Sequence, residues 1–140
     1  MLFRSLRYYF FKTFVRLVGV AMRHSSIQTS RRLQGNTVGE RLLMRRVRSE
    51  WINANGVRCE WLIPPDASTD TMLYLHGGGF VLGWYVPHRL MTAQIARTAG
   101  IRALGVDYRL APEHPFPTAL EDCLAAYRYL LKQEIGRAHV

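Results

Sequence analysis

Apolar residues step by threes and fours along the start of the chain. Phe3, Leu6, Phe10, Phe14, Leu17 and Ala21 fall on one stripe, with Arg7, Lys12, Arg16 and Arg23 off it. This spacing predicts an amphipathic helix. Residues 36–48, NTVGERLLMRRVR, predict a short helix or linker. Past residue 50 the pattern changes. WINANGVRCEWLIPP predicts a β-hairpin: Asn55-Gly56 suits a type I′ turn, β-prone residues flank it, and Pro64-Pro65 ends the second strand. TMLYLH, residues 71–76, is a continuous apolar run and predicts a strand buried on both faces. HRLMTAQIARTAG, residues 88–100, predicts a helix that starts near Pro87 and stops at Gly100. IRALGVDYRL predicts a second buried strand, and LAPEHPFP a rigid connector with three prolines. TALEDCLAAYRYLLKQ, residues 118–133, predicts a helix with the stripe Leu120, Cys123, Leu124, Tyr127 and Leu131. Glu121 and Asp122 sit near its positive N-terminal end.

A hairpin followed by strand, helix, strand, helix predicts an α/β fold. The sheet should be mixed but mostly parallel, with helices on both faces. The 140 residues are enough for one domain with a core, and 49% hydrophobic against 21% charged is globular composition, not disorder. Cys59 and Cys123 stand far apart. They predict two reduced, partly buried thiols, neither a disulfide framework nor a zinc site.

Charge divides the chain. Residues 1–48 hold eleven Arg or Lys and the single acid Glu40, whereas the remainder holds eight bases and nine acids. The basic character therefore belongs to the N-terminal segment and not to the domain after it. This argues against a nucleic-acid binder, whose basic stripe should lie on the folded module. The charges also come too often for a membrane span. No small-residue cleavage site follows a clean apolar core, so no secretory signal is expected. Three readings of the helix stay open: packing on the domain, contact with a membrane surface, or a transit peptide. The expected location is cytoplasmic, with a peripheral membrane position as the alternative.

The candidate chemistry lies in HGGGFVLG, residues 76–83, directly after the apolar run 72–75. In open α/β sheets, ligands sit beyond the carboxyl ends of strands. Glycine there lets the backbone approach a ligand and adopt positive φ. Two successive N–H groups can then point at a developing oxyanion. A phosphate cradle would need a lysine-bearing Walker pattern or GxGxxG opening a helix, and Phe80-Val81-Leu82-Gly83 supplies neither. A tight turn without chemistry is the remaining alternative.

HGGGFVLG followed by DYRLAPEHPFPTALED resembles the hormone-sensitive-lipase-like branch of the α/β-hydrolases. The glycine block resembles that family's oxyanion loop after the third strand, and the second block its segment after the fourth. The likeness covers roughly residues 50–133. It implies that Gly78 and Gly79 supply oxyanion N–H groups, while His76 and Gly77 shape the loop. It also implies a serine carboxylic ester hydrolase acting on a small-molecule ester or lipid, without a metal or organic cofactor. A non-catalytic ligand-binding protein on the same fold is the alternative. Asp107, Tyr108, Arg109 and Glu113 are expected to hold the loop by hydrogen bonds and ion pairs. His114 is expected to pack in its loop, and neither His88 nor His24 is expected to act as a base. Trp84 and Tyr85 could line an acyl pocket or pack in the core.

The family's mechanism needs a serine in GxSxG, with an acid and a histidine after it. Ser5, Ser25, Ser26, Ser30, Ser49 and Ser68 all lie outside that pattern. The triad is therefore expected beyond residue 133. Glu134 to Val140 is what GAG ATC GGA AGA GCA CAC GTC encodes. Apart from its first base, that string begins a widely used short-read sequencing adapter. Residues 134–140 are thus expected to be foreign, the alternative being a helix end stopped by Gly136. The expected organisation is a basic amphipathic, cap-like segment over 1–48, a partial α/β-hydrolase domain over 49–133, and the foreign tail.

Overall fold

The computed structural model describes residues 8–10, 12–13, 16, 26–33 and 44–137. The chain divides into two compact units, Met1–Leu33 and Gln34–Val140. In the first, residues 8–10, 12–13 and 16 are helical, and α1 spans Ile27–Leu33. The Ser26 hydroxyl caps α1 by accepting from the Thr29 N–H at 3.1 Å. Of the apolar stripe expected over residues 3–21, all but Phe10 lies outside the described residues.

The second unit is a four-stranded sheet with a long helix on each face. Its strands are β1 (Arg48–Ala54), β2 (Val57–Ile63), β3 (Thr71–Leu75) and β4 (Arg102–Val106). They run in the order β1-β2-β4-β3. β1, β2 and β4 pair antiparallel, and β3 pairs parallel with β4, so the sheet is mixed as the pattern predicts, but among the described strands antiparallel pairing predominates, because the hairpin joins the sheet through β2 and β4. The hairpin turn forms at Asn55-Gly56, with φ of 55° and 92°.

β3 departs from expectation. It is an edge strand among the described residues, its side chains are half-buried, and Leu75 is exposed. A continuous apolar run records hydrophobicity, not the number of neighbours a strand acquires. β4, inside the sheet, is buried as predicted.

The helices are α2 (Val86–Ala99) and α3 (Thr118–Arg137). α2 ends at Gly100, which takes the left-handed conformation. Its Ala93 and Ala96 pack with Val47, Leu62, Trp84 and Ala103 on one face of the sheet. On the other face, Ala119, Ala126 and Leu130 of α3 pack with Ala54, Val57, Cys59, Leu104, Val106 and Tyr108.

The stripe predicted for α3 is the wrong one. Leu120, Leu124, Tyr127 and Leu131 are exposed, whereas Ala119, Asp122, Ala126 and Leu130 face the sheet. Small residues let the helix axis approach β1 and β2 closely, so the bulky stripe points away. Nor does Gly136 stop the helix, which runs on to Arg137.

One row across the sheet explains the α2 face. Glu60 of β2, Gly105 of β4 and Tyr74 of β3 are in register. The Trp84 ring lies over Gly105, where a Cβ would stand 2.3 Å from its Cζ2. Gly105→Ala should therefore destabilise the fold by about 1–3 kcal/mol through overpacking. Chemical denaturation would measure this as a lower midpoint with an unchanged slope.

Candidate active site

The glycine loop leaves β3 at its carboxyl end. Gly78 and Gly79 have φ of 130° and 62°. A Cβ on Gly78 would meet Leu82 Cβ and the Leu82 carbonyl oxygen at 2.8 Å each, so the position takes glycine alone without a shift. The Gly78 carbonyl accepts from the N–H groups of Val81 and Leu82, at 3.2 and 3.1 Å. This closes a compact turn that carries Phe80 at a positive φ of 61°.

Three ties fix the loop to the segment after β4. The Tyr108 hydroxyl donates to the His76 carbonyl at 2.7 Å. The Ala111 N–H donates to the Phe80 carbonyl at 2.9 Å. The Asp107 carboxylate accepts from the Trp84 backbone N–H. Rings add to these ties, because His76 stacks on Tyr108 with centroids 4.0 Å apart. The His76 Nδ1 donates to the Gly77 carbonyl at 2.9 Å, which fixes the neutral tautomer with the proton on Nδ1.

Burial shapes the ionisable groups. It pushes the His76 imidazole below its ordinary range, opposed by the Gly77 carbonyl. His88 is shifted the same way for the same reason. Burial also raises the Asp107 carboxyl, against the pull of Arg58 at 3.8 Å. It lifts Tyr108 and Cys59 to about 12, so neither supplies an anion near neutrality. Both cysteines are free thiols. No group of three or more His, Cys, Asp or Glu is placed to hold a metal ion among the described residues.

Beneath the connector, Arg109 grips Asp122. Its Nη2 donates to Asp122 Oδ1 at 2.7 Å, and its backbone N–H to Oδ2 at 2.9 Å. Burial alone would raise the Asp122 carboxyl, but these bonds outweigh it and hold the group below the ordinary carboxylate range. Asp107, Tyr108 and Arg109 thus do the holding that the sequence assigns them. The Glu113 side chain is exposed, as is His114, whose backbone N–H donates to the Leu110 carbonyl at 2.8 Å.

Asp122 and the two histidines give two pH windows of the same sign, whereas the raised Asp107 acts in the opposite sense. A depressed Asp122 stabilises the fold above its unfolded pKa of about 3.9, and that share is lost as pH falls through the folded value. Neutral, buried His76 and His88 stabilise it above about pH 6.5, and that share is lost as pH falls below. The melting temperature should therefore drop in two steps on acidification. Asp122→Asn should flatten the lower step and leave the upper one.

Beside Gly79 opens a cavity of about 670 Å³, lined by Leu75, His76, Phe80, Tyr108, Ala111 and Phe116 among others. Its wall is mostly apolar. Neither Trp84 nor Tyr85 lines it. Trp84 is a core residue, and its indole N–H donates to Glu60 Oε2 at 2.6 Å.

That bond belongs to a network absent from the sequence reading. Glu60 is fully buried. Oε2 accepts from Trp84 and from Arg89 Nε at 2.7 Å, while Oε1 accepts from the Ser49 hydroxyl at 2.5 Å and pairs with Arg89 Nη2. The available signal is weak: Glu60 alternates with Leu62 on a strand whose other side is also apolar. Nothing local points to Arg89.

Comparison with known proteins fits this geometry. The α/β-hydrolase fold profile matches residues 72–140. The second unit's architecture also recurs in solved structures. An esterase from the bacterial hormone-sensitive lipase family is 44% identical, with a TM-score of 0.67, over 79% of this chain and 37% of that one.

Over the matched residues the chain has the α/β-hydrolase fold and is similar to esterases of the hormone-sensitive-lipase family.

Among curated relatives, an acetyl-hydrolase of Streptomyces hygroscopicus is 46% identical over 74 residues, covering 53% of this chain and 25% of the relative. Lipase 2 of Moraxella sp. (strain TA144) is 49% identical over 73 residues, covering 49% and 17%. The chain thus spans a quarter or less of these two relatives' length. The observed sheet and helices correspond to the N-terminal half of the hydrolase fold.

Proposed function

We propose that the protein works as a serine carboxylic ester hydrolase in which this chain supplies the oxyanion loop. One observation carries the reading. Gly78 and Gly79 leave β3 with positive φ beside a largely apolar cavity of about 670 Å³. Their N–H groups are the donors, and His76 and Gly77 set the loop's path.

The nucleophilic serine, its histidine and the orienting acid come from residues outside this sequence, whose six serines all miss the GxSxG pattern. The serine Oγ attacks the ester carbonyl carbon and passes its proton to the histidine. The carbonyl electron pair moves onto oxygen, where Gly78 and Gly79 receive it. Collapse expels the alcohol with the histidine's proton, and water then releases the acid. The substrate is a small-molecule ester or lipid, and nucleic acid has no part. The proposed compartment is the cytoplasm, with a membrane-peripheral position as the alternative.

The test is hydrolysis of p-nitrophenyl acetate by the complete gene product and by the 140-residue chain. Turnover is expected from the first and none from the second. A complete product that binds ester ligands without hydrolysing them would make it a binding protein.

A further inference from the structure

The glycine loop begins at His76 and closes at Trp84. Trp84 holds this second end twice. Its backbone N–H donates to the Asp107 carboxylate, and its indole N–H donates to Glu60 Oε2 of β2 at 2.6 Å. The ring lies in a slot. Gly105 is the floor, and the rings of Tyr74 and His76 stand beside it, with centroids 5.6 and 6.2 Å away. The acceptor is itself fixed, because Arg89 of α2 donates to both Glu60 oxygens and Ser49 of β1 donates to Oε1. Two strands and a helix thus converge on one indole.

A buried ion pair adds little stability over apolar residues of similar volume. What the fully buried Glu60 adds is a fixed acceptor where the loop re-enters the core. The turn between Trp84 and the glycines is stiff. The N–H groups of Val81 and Leu82 both donate to the Gly78 carbonyl, at 3.2 and 3.1 Å, so a displaced Trp84 drags Gly78 with it. We infer, on the ester-hydrolase reading, that Trp84 anchored on Glu60 is a positioning residue that holds the Gly78 and Gly79 N–H groups in place for the oxyanion. Trp84 lies outside the cavity lining and acts through the backbone of residues 80–83.

The test uses the complete gene product and two readouts. Trp84→Phe keeps a ring in the slot and removes the donor. It should lower kcat on p-nitrophenyl acetate about 10- to 100-fold, with KM within about twofold of wild type. Gly105→Ala lifts the ring without removing any hydrogen-bonding group, and should lower kcat in the same way. Val57→Ala trims the core on the opposite face of the sheet, destabilises the fold and should leave kcat unchanged. Hydrogen exchange read by mass spectrometry follows the loop without turnover. In Trp84→Phe a peptide over residues 77–83 should exchange about tenfold faster, with β4 no faster than in Val57→Ala. Folded Trp84→Phe and Gly105→Ala with wild-type kcat, an equal loss in Val57→Ala, a loss confined to KM, or unchanged loop exchange would overturn the inference. A wild-type product without turnover would instead sink the ester-hydrolase reading, and loop exchange would still decide whether the indole clamps the loop.

Discussion

Glu60→Ala is expected to cost about 3–5 kcal/mol of folding stability, the range for removing one partner of a buried ion pair. The carboxylate is fully buried and takes four hydrogen-bonding contacts from three residues, Ser49, Trp84 and Arg89. Without it, the Arg89 guanidinium is left charged against the α2 face of the sheet, with its side chain 16% exposed. The Trp84 indole N–H loses its acceptor as well. Glu60→Gln separates the two effects. It keeps an acceptor for Trp84 but removes the charge, and should fall between wild type and alanine. Urea denaturation of the three proteins orders them. An alanine variant within 1 kcal/mol of wild type would show that the network contributes little beyond its packing volume.

Gly78→Ala carries the second large effect, on turnover. The added methyl would sit 2.8 Å from Leu82 Cβ and from the Leu82 carbonyl oxygen, on a backbone with φ of 130°. The loop must shift, and with it the N–H groups of Gly78 and Gly79. Loss of one oxyanion donor is expected to lower kcat about 100- to 1000-fold. KM should change little, because the donors act on charge that develops after binding. The measurement belongs on the complete gene product with p-nitrophenyl acetate. A matched rise in KM with kcat intact would assign the loop to substrate binding instead.

Legibility in the sequence follows the range of the interaction. The Asn55-Gly56 turn and the Gly100 stop depend on one or two residues' own φ, and both are where the pattern puts them. The loop at 76–79 is legible because its glycines cluster and follow a strand. β3 and α3 are misread for a shared reason. Apolar residues mark a wish for burial, and only tertiary structure decides which faces get it. In α3 the small residues Ala119 and Ala126 take the sheet, while Leu120, Leu124, Tyr127 and Leu131 stay out. The Glu60 network is invisible for a different reason. Its partners lie 11, 24 and 29 residues away, and no local rule joins them. Gly105 is similarly opaque, since its role appears only once Trp84 folds back across the sheet.

The most direct test of the central claim is to sequence the source gene past the codon for Gln133. The hydrolase account predicts a GxSxG on the next strand-to-helix turn, then an acid and a histidine in that order. It also predicts that EIGRAHV is replaced by other residues. A continuous frame that keeps the fold but replaces the serine or the histidine would contradict the proposed activity. A genomic stop after Val140 would contradict both the supply of a triad from beyond this chain and the foreign origin of its last residues.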